Sequence, residues 1–403
     1  MKYTWKQYSL GELFSFTGGL GISREQLGNR GIPYLHYGDM HKDNFSYVSY
    51  DNYVALPKYD IKINGDECFL LKDGDVVFLD ASEDLTGTSR CVVVDNPDNK
   101  PFIAGLHTFI ARPLNNSLSK WYKKYFTQTQ MVQKQFEHLA VGIKVYTVNR
   151  NDIKKIIVSF PKSIKEQQKI AKILTKWDDA IELQKQLIEK LELQKNELMQ
   201  KLLKPKKDWL NYKLKALCNK IQSGGTPKTN NTSFYGGNIP FVKIDDITNS
   251  GKYLYDTNTK ITPSGLQNSS AWLVPEDSLL YSMYASVGYP IICKCKVATS
   301  QAIMCMCIKN EIVDLEYLYY FLLKHQPKMV KYIEKGTQGN LNANIVNNIL
   351  ITMPCINKQK MIGKYLAKQD ELISLHSQKL DLLTYQRKAL MQRLLTGAIR
   401  VKV

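Results

Sequence analysis

The chain has 403 residues, 44% of them hydrophobic, which is enough for two to four domains and a sizeable buried core. No run of 18 uncharged apolar residues occurs, and the opening MKYTWKQYSLGELFSF lacks a secretory apolar segment, so no membrane span is expected and a soluble cytoplasmic protein is the default. The formal charge of +18 points to a polyanion, and it is spread over the body: residues 1–160 carry 19 basic and 17 acidic side chains, residues 355–403 carry 10 and 3.

Residues 1–160 open with Trp5 and the run SLGELFSFTGG. β-type runs follow at IPYLHYGD (32–39) and LKDGDVVFLDASED (71–84), then a helical pattern, LSKWYKKYFTQTQMVQKQFEHL (118–139). A polar loop, VGIKVYTVNR (141–150), leads to a short strand ending at Phe160-Pro161. This composition predicts an α/β-type domain with a twisted sheet and one or two helices.

Residues 161–206 read as one long helix. Its apolar residues Ile170, Leu174, Trp177, Ile181, Ile188, Leu191, Leu198 and Leu202 fall mainly at alternating steps of four and three, a coiled-coil seam interrupted at Gln184 and Lys195. Ser163-Ile-Lys-Glu166 has the form of a capping box, and Pro205 ends the element.

Residues 207–354 repeat the first segment faintly: Trp209, then a double glycine in SGGTPKT, then Ile239-Pro240-Phe241 leading into FVKIDD, then VPEDSLLYSMYAS (274–286), a helical run from 314 to 335, and a short strand ending at Met353-Pro354. Residues 355–403 repeat the helix, with Ile362, Leu366, Ile373, Leu380, Leu383, Leu390 and Leu394 on the seam, polar breaks at His376 and Arg387, and Gly397 as its stop. Aligning residue n with n+192 over 164–203 needs no gap and gives 17 identities in 40 positions. Each helix runs for about 39 residues, roughly 58 Å. Neither hides its stripe alone. Two similar halves related by a pseudo-twofold axis would pack these helices antiparallel; the alternative is that each helix packs only on its own domain.

Catalytic signatures are missing. There is no N/D-P-P-Y/F tetrapeptide with a glycine-rich cofactor loop and no G-x-x-x-x-G-K-S/T; Gly251-Lys252-Tyr253 reads as a turn. Asp95, Asp98 and Lys100 lie in a polar turn, and the acidic pairs Asp178-Asp179 and Asp370-Glu371 read as a solvated or partner-facing helix surface. Cys293, Cys295, Cys305 and Cys307 lack the C-x-x-C spacing of zinc knuckles and read as reduced strand cysteines, so neither metal nor cofactor is expected.

The doubled spacer openings, Pro161…Gln167…Ile170…Leu174 and Pro354…Gln359…Ile362…Leu366, resemble those of the specificity subunit of type I DNA restriction-modification systems. SGGTPKT with YGGNIPFVKIDDI, KGTQGNLN at 335–342 and LLTGAIRV at 394–401 extend the resemblance over essentially the full length. In the first segment SFTGGLGIS and VGIKVYTVNR depart from it. The resemblance implies an α/β fold with two target-recognition domains (1–160 and 207–354) separated by two helical spacers (161–206 and 355–403) packed as an antiparallel coiled coil. It also implies a non-catalytic subunit that reads a split double-stranded DNA site, docks two methyltransferase subunits and recruits two restriction/translocase subunits. A helical scaffold joining two protein-binding heads is the other reading. Helix–helix packing is assigned to Trp177, Ile181, Ile188, Leu191, Leu198, Leu202, Ile373, Leu380, Leu383, Leu390 and Leu394.

Phosphate contact needs Lys, Arg, hydroxyls or backbone N–H groups, and base readout needs polar side chains on loops that reach a groove. In the second head this selects Ser223, Gly225, Thr226 and Lys228; Lys243 and Asp245; Tyr281, Ser282, Tyr284 and Ser286; and Thr337, Gln338 and Asn340. Gly225 is chosen because glycine would let the backbone approach a phosphate. In the first head the equivalents are Tyr37, His41 and Lys42; Ser82, Thr86, Thr88, Ser89 and Arg90; and Lys144.

Overall fold

The β-type runs of both segments assemble into sheets with the same strand order. The computed structural model describes residues 5–42, 47–49, 54–63, 65, 67–83, 85–335 and 340–402. They form two compact units, Met1–Gln184 with Lys379–Val403, and Lys185–Gln378.

In the first unit a five-stranded sheet runs in the order Phe14–Gly18, Thr108–Pro113, Val76–Leu79, Cys91–Val94, Tyr47–Val48. Its pairs are antiparallel except the last. Beside it lie a three-stranded sheet (Lys58–Tyr59, Ile32–Leu35, Ile103–Ala104) and a two-stranded one joining Lys6–Ser9 to Ile157–Phe160. Alternation places Val76, Phe78 and Val93 in one buried cluster and Val77, Leu79, Val92 and Val94 in the other, so the large sheet has a core on each face. The helical pattern at 118–139 is broken: a 3-10 turn spans Lys120–Lys124 and a helix spans Gln130–Leu139. Thr129 causes the restart, since its side chain caps the Val132 N–H at 3.3 Å.

The second unit repeats this plan. Its five-stranded sheet runs Cys218–Ser223, Ile303–Ile308, Ser278–Ser282, Pro290–Cys293, Tyr253–Leu254, again parallel only at the last pair. Thr259–Ile261, Tyr235–Val242 and Ala298–Thr299 form the three-stranded sheet, and Leu210–Lys213 pairs with Leu350–Met353. Here the helix following the sheet is unbroken from Leu315 to Lys335. Cys293 and Cys305 are buried strand residues, while Cys295 and Cys307 are half-buried.

The long helices span Ile164–Leu202 and Ile356–Leu395. Along the first, Ile170, Leu174, Trp177, Ile181, Gln184, Ile188, Leu191, Lys195, Leu198 and Leu202 are buried or half-buried. Along the second, Ile362, Leu366, Gln369, Ile373, His376, Leu380, Leu383, Arg387, Leu390 and Leu394 are. The four-three spacing is therefore unbroken in burial, and the polar interruptions belong to the seam.

Within the first unit, Glu166 pairs with Arg400 at 2.6 and 2.7 Å and Asp178 pairs with Arg387 at 2.9 Å. From Glu166 to Asp178 along the first helix the partner moves back from Arg400, just past the end of the second helix, to Arg387 within it, so the two run antiparallel. Met391, Leu394 and Leu395 share a buried cluster with Ile170, Leu174 and the first head. The second unit buries Met199 and Leu203 with Ile362, Leu366 and the second head, and Lys195 pairs with Asp370 at 2.5 Å. Asp178 and Asp370 are therefore interhelical ion-pair partners, where the sequence reading gave a solvated or partner-facing surface; Asp179 and Glu371 remain exposed. The capping box is half made, with the Glu166 N–H donating to Ser163 Oγ at 3.3 Å while the Glu166 carboxylate goes to Arg400.

The repeated glutamine acts as a clamp. Gln167 is fully buried: its Nε2 donates to the Ser117 and Pro161 carbonyls, both at 2.8 Å, and its Oε1 accepts the Ser119 N–H at 2.7 Å. Gln359 does the same with the Ile312 and Pro354 carbonyls and the Asp314 N–H. An amide satisfies a carbonyl and an N–H together, which Glu, Lys or Leu cannot do. Each spacer is thus fastened to its own head where the strand turns into the helix. Lys252, in the turn at Gly251, joins the second fastening, lying against Glu316 and donating to the Tyr320 hydroxyl at 2.8 Å, which in turn donates to Asp370.

Candidate nucleic-acid interface

In the second head, hydrogen bonds gather five loop segments at one end of the large sheet. Gly225 N–H donates to the Thr299 carbonyl at 2.9 Å, and the Thr226 hydroxyl donates to the Gln301 side chain. Ser300 N–H donates to Val242 beside Lys243, and Met283 N–H to Ala302. Leu341 N–H donates to Met283, bringing Asn340 alongside, and Thr248 Oγ1 lies 3.3 Å from Ser286 Oγ. Thr226, Lys228, Lys243, Asp245, Thr248, Tyr284, Ser286, Gln301 and Asn340 are exposed here, and Ser223 is half-buried. Sequence reasoning missed Gln301 and Thr248. The signal was their chemistry, but only the fold brings 301 beside 226 and 248 beside 286.

Several predicted contacts are overturned by burial. Tyr281 sits wholly inside the core, and Ser282 is buried with its hydroxyl donating to the Ala285 carbonyl at 2.8 Å. They are consecutive on the strand Ser278–Ser282 and point to opposite faces of a sheet that is covered on both sides. Gly225 is buried too; a Cβ there would collide with Ser270, so the glycine serves loop packing rather than a phosphate's approach. Thr337 and Gln338 lie outside the described residues.

The first head builds a matching loop end. Gly19 N–H donates to Thr108 and Gly105 N–H to Leu35, while Asp80 N–H donates to the His107 carbonyl and Val148 N–H to Asp80. Tyr146 and Thr147 pair with Ser82 and Ala81, setting Lys144 beside the 82–90 loop. Tyr37 stacks edge-on to His107 at 5.2 Å, and His107 Nδ1 lies 3.1 Å from Asp80. Burial raises the Asp80 carboxyl above its ordinary range against the pull of His107, and burial lowers His36. Lys144 is exposed; Tyr37, Ser89 and Arg90 are half-buried. Ser82 and Thr88 are buried, Thr88 donating to the Leu85 carbonyl at 2.7 Å, so neither presents its hydroxyl outward. His41 and Lys42 lie on the helix Tyr37–Lys42, and Thr86 in the 3-10 turn Leu85–Ser89; their side chains are outside the described set. His107 is the residue the sequence did not single out.

One loop end carries exposed hydroxyls, amides and lysines and the other an exposed His107 and Lys144 beside Tyr37, groups whose chemistry suits polar recognition of a ligand surface. Among the described residues no group of three or more His, Cys, Asp or Glu is gathered as a metal site. The model for the type I restriction modification DNA specificity domain matches twice, over residues 2–193 and 206–385, and the chain belongs to that family.

It is 26% identical over 326 residues to a putative type I restriction enzyme MjaX specificity subunit of Methanocaldococcus jannaschii, covering 76% of this chain and 74% of that one. It is 23% identical to the type I restriction enzyme HindI specificity subunit of Haemophilus influenzae, covering 98% and 99%. The fold matches the S subunit of a type I restriction-modification system from M. genitalium (TM-score 0.59, 16% identity, 98% and 97% covered). It also matches a chain from a structure describing complex assembly and conformational transition of the type I R-M system (TM-score 0.65, 16% identity, 98% and 99% covered). In this family the chain's part is recognition, with catalysis left to partner subunits.

Proposed function

We propose that each head reads one half of a split duplex DNA site through the loop end of its large sheet. The paired spacers set the gap between half-sites and seat two methyltransferase subunits, and two restriction/translocase subunits join that assembly. The chain itself performs no chemistry. It works in the cytoplasm, where chromosomal DNA is reached; among the described residues no helix is long and apolar enough to cross a membrane.

The observation that carries this reading is a frame built twice and dressed differently. The strand order, the glutamine clamp and the interhelical ion pair recur in both units. The loop ends do not: Thr226, Lys243 and Gln301 on one head face different chemistry from Tyr37, His107 and Lys144 on the other. A shared frame with unlike polar tips suits two different half-sites.

The test is equilibrium binding to a duplex carrying the split site, measured as salt is varied. The expected result is sequence-dependent affinity with a steep negative slope of log K against log salt. Affinity indifferent to both salt and sequence would favour a scaffold with protein-binding heads.

A further inference from the structure

Among the described residues, the tip of the 141–147 loop is the most exposed apolar feature of the first head. Ile143 is 93% exposed, and Val141 and Val145 flank it at 73% and 49%. The loop is firmly held: Val141 and Thr147 exchange backbone hydrogen bonds of 3.0 and 2.9 Å, and Tyr146–Thr147 pairs with Ala81–Ser82. Gly142 has φ +144, and a Cβ there would strike the Val145 carbonyl, so the turn demands glycine. Lys144 is exposed beside Ile143.

We infer that Ile143 is a wedge that enters a base step of the half-site read by the first head, with Lys144 anchoring the adjacent phosphate. One observation and two physical arguments support this occupant. The loop returns to the strand end at Ala81–Ser82 just as the second head's polar loop returns to Met283 through Leu341, so it holds a place assigned to DNA contact. One apolar tip is far smaller than the roughly 800 Å² each partner buries in a stable protein interface. Single apolar side chains, Ile among them, are inserted between base steps by proteins that kink DNA, and the unstacking, about a few kcal/mol per step, is offset by the contact the bend gains. The inference rests on the proposed DNA reading and adds how one head deforms its half-site.

The experiment uses the full chain assembled with its methyltransferase subunits on a duplex bearing the split site. 2-Aminopurine is scanned through the first half-site, away from the methylated adenine. The wild type is expected to give a several-fold fluorescence rise at one step. Ile143→Ala abolishes the rise while the second half-site is still read; Ile143→Leu retains it. Lys144→Ala keeps the rise and flattens the salt slope. No localised rise in the wild type, or a rise indifferent to Ile143→Ala, overturns the wedge while leaving split-site recognition standing. Loss of methyltransferase association in Ile143→Ala with an unchanged rise would make the tip a protein contact and also overturns it. If the wild type shows no sequence preference at all, it is the DNA reading that fails.

Discussion

Asp178 accepts the Arg387 Nε–H at 2.9 Å and the Tyr125 hydroxyl at 2.6 Å, so one carboxylate ties both long helices to the first head. In the second unit Asp370 meets Lys195 at 2.5 Å and the Tyr320 hydroxyl. The repeat offset of 192 carries Asp178 to Asp370 and Lys195 to Arg387, so the two joints are one ion pair with the roles of the helices exchanged. That exchange is what an antiparallel pairing of two copies requires.

These charges are about a quarter exposed, where an ion pair with a supporting hydrogen bond is worth about 1 kcal/mol. Asp178→Asn is therefore expected to destabilise by about 1–2 kcal/mol, because it leaves Arg387 without its counter-charge. A double-mutant cycle with Arg387→Gln, followed by urea unfolding, should return a favourable coupling energy. A coupling of zero would mean the seam is held by its apolar residues alone.

Gln167→Leu should be more damaging. It keeps the bulk but strands the buried Pro161 carbonyl, at about 1–3 kcal/mol, and costs the half-buried Ser119 N–H and Ser117 carbonyl their partner as well, at less for each because water reaches them. A loss of about 3 kcal/mol in denaturant unfolding is predicted, and Gln359→Leu should behave alike. Wild-type stability in either variant would show that the clamp is dispensable.

Lys123 gives the fold a pH signature. Burial brings its ammonium down to about 8, against the pull of Asp75 and Asp73, while Nζ donates to the Gly74 carbonyl at 2.8 Å. The folded-state value lies below the unfolded one, so between about pH 8 and the usual lysine range the unfolded chain holds the extra proton. Stability then rises with pH across that window, by at most about 1.4 kcal/mol per unit, and the penalty is full below it. Urea unfolding of wild type and Lys123→Met at several pH values should give curves whose separation changes across this window. Parallel curves would contradict the assignment.

In the second head, Lys228→Ala and Lys243→Ala should each weaken DNA binding across sequences and reduce the salt slope by about 1. Gln301→Ala should instead alter base preference in one half-site and leave the other untouched. Competition binding with duplexes varied in each half checks both. A lysine variant that shifts base preference, or a Gln301 variant that affects both halves, would relocate the interface.

The frame was legible because it is written in periodicity. The four-three seam, the doubled Pro…Gln openings and the stops at Pro205 and Gly397 all rest on local spacing, and the helices end at Leu202 and Leu395. What periodicity could not supply was pairing. Lys195 and Arg387 look like defects in an apolar stripe until the partner helix brings Asp370 and Asp178 opposite them. The loop residues were harder. Tyr281, Ser282, Ser82 and Thr88 have suitable chemistry, but strand pleat and tight turns bury them. His107 and Gln301 come to the surface beside other loops only through tertiary hydrogen bonds.

The most direct measurement of the central claim is to lengthen both spacers by seven residues, which preserves the seam, and then map the methylated adenines produced with the methyltransferase subunits. Seven residues add about 10 Å of helix, no more than about three base-pair steps. The expected product is the same two half-site sequences separated by a wider gap. Altered half-site sequences at the original gap would contradict the account.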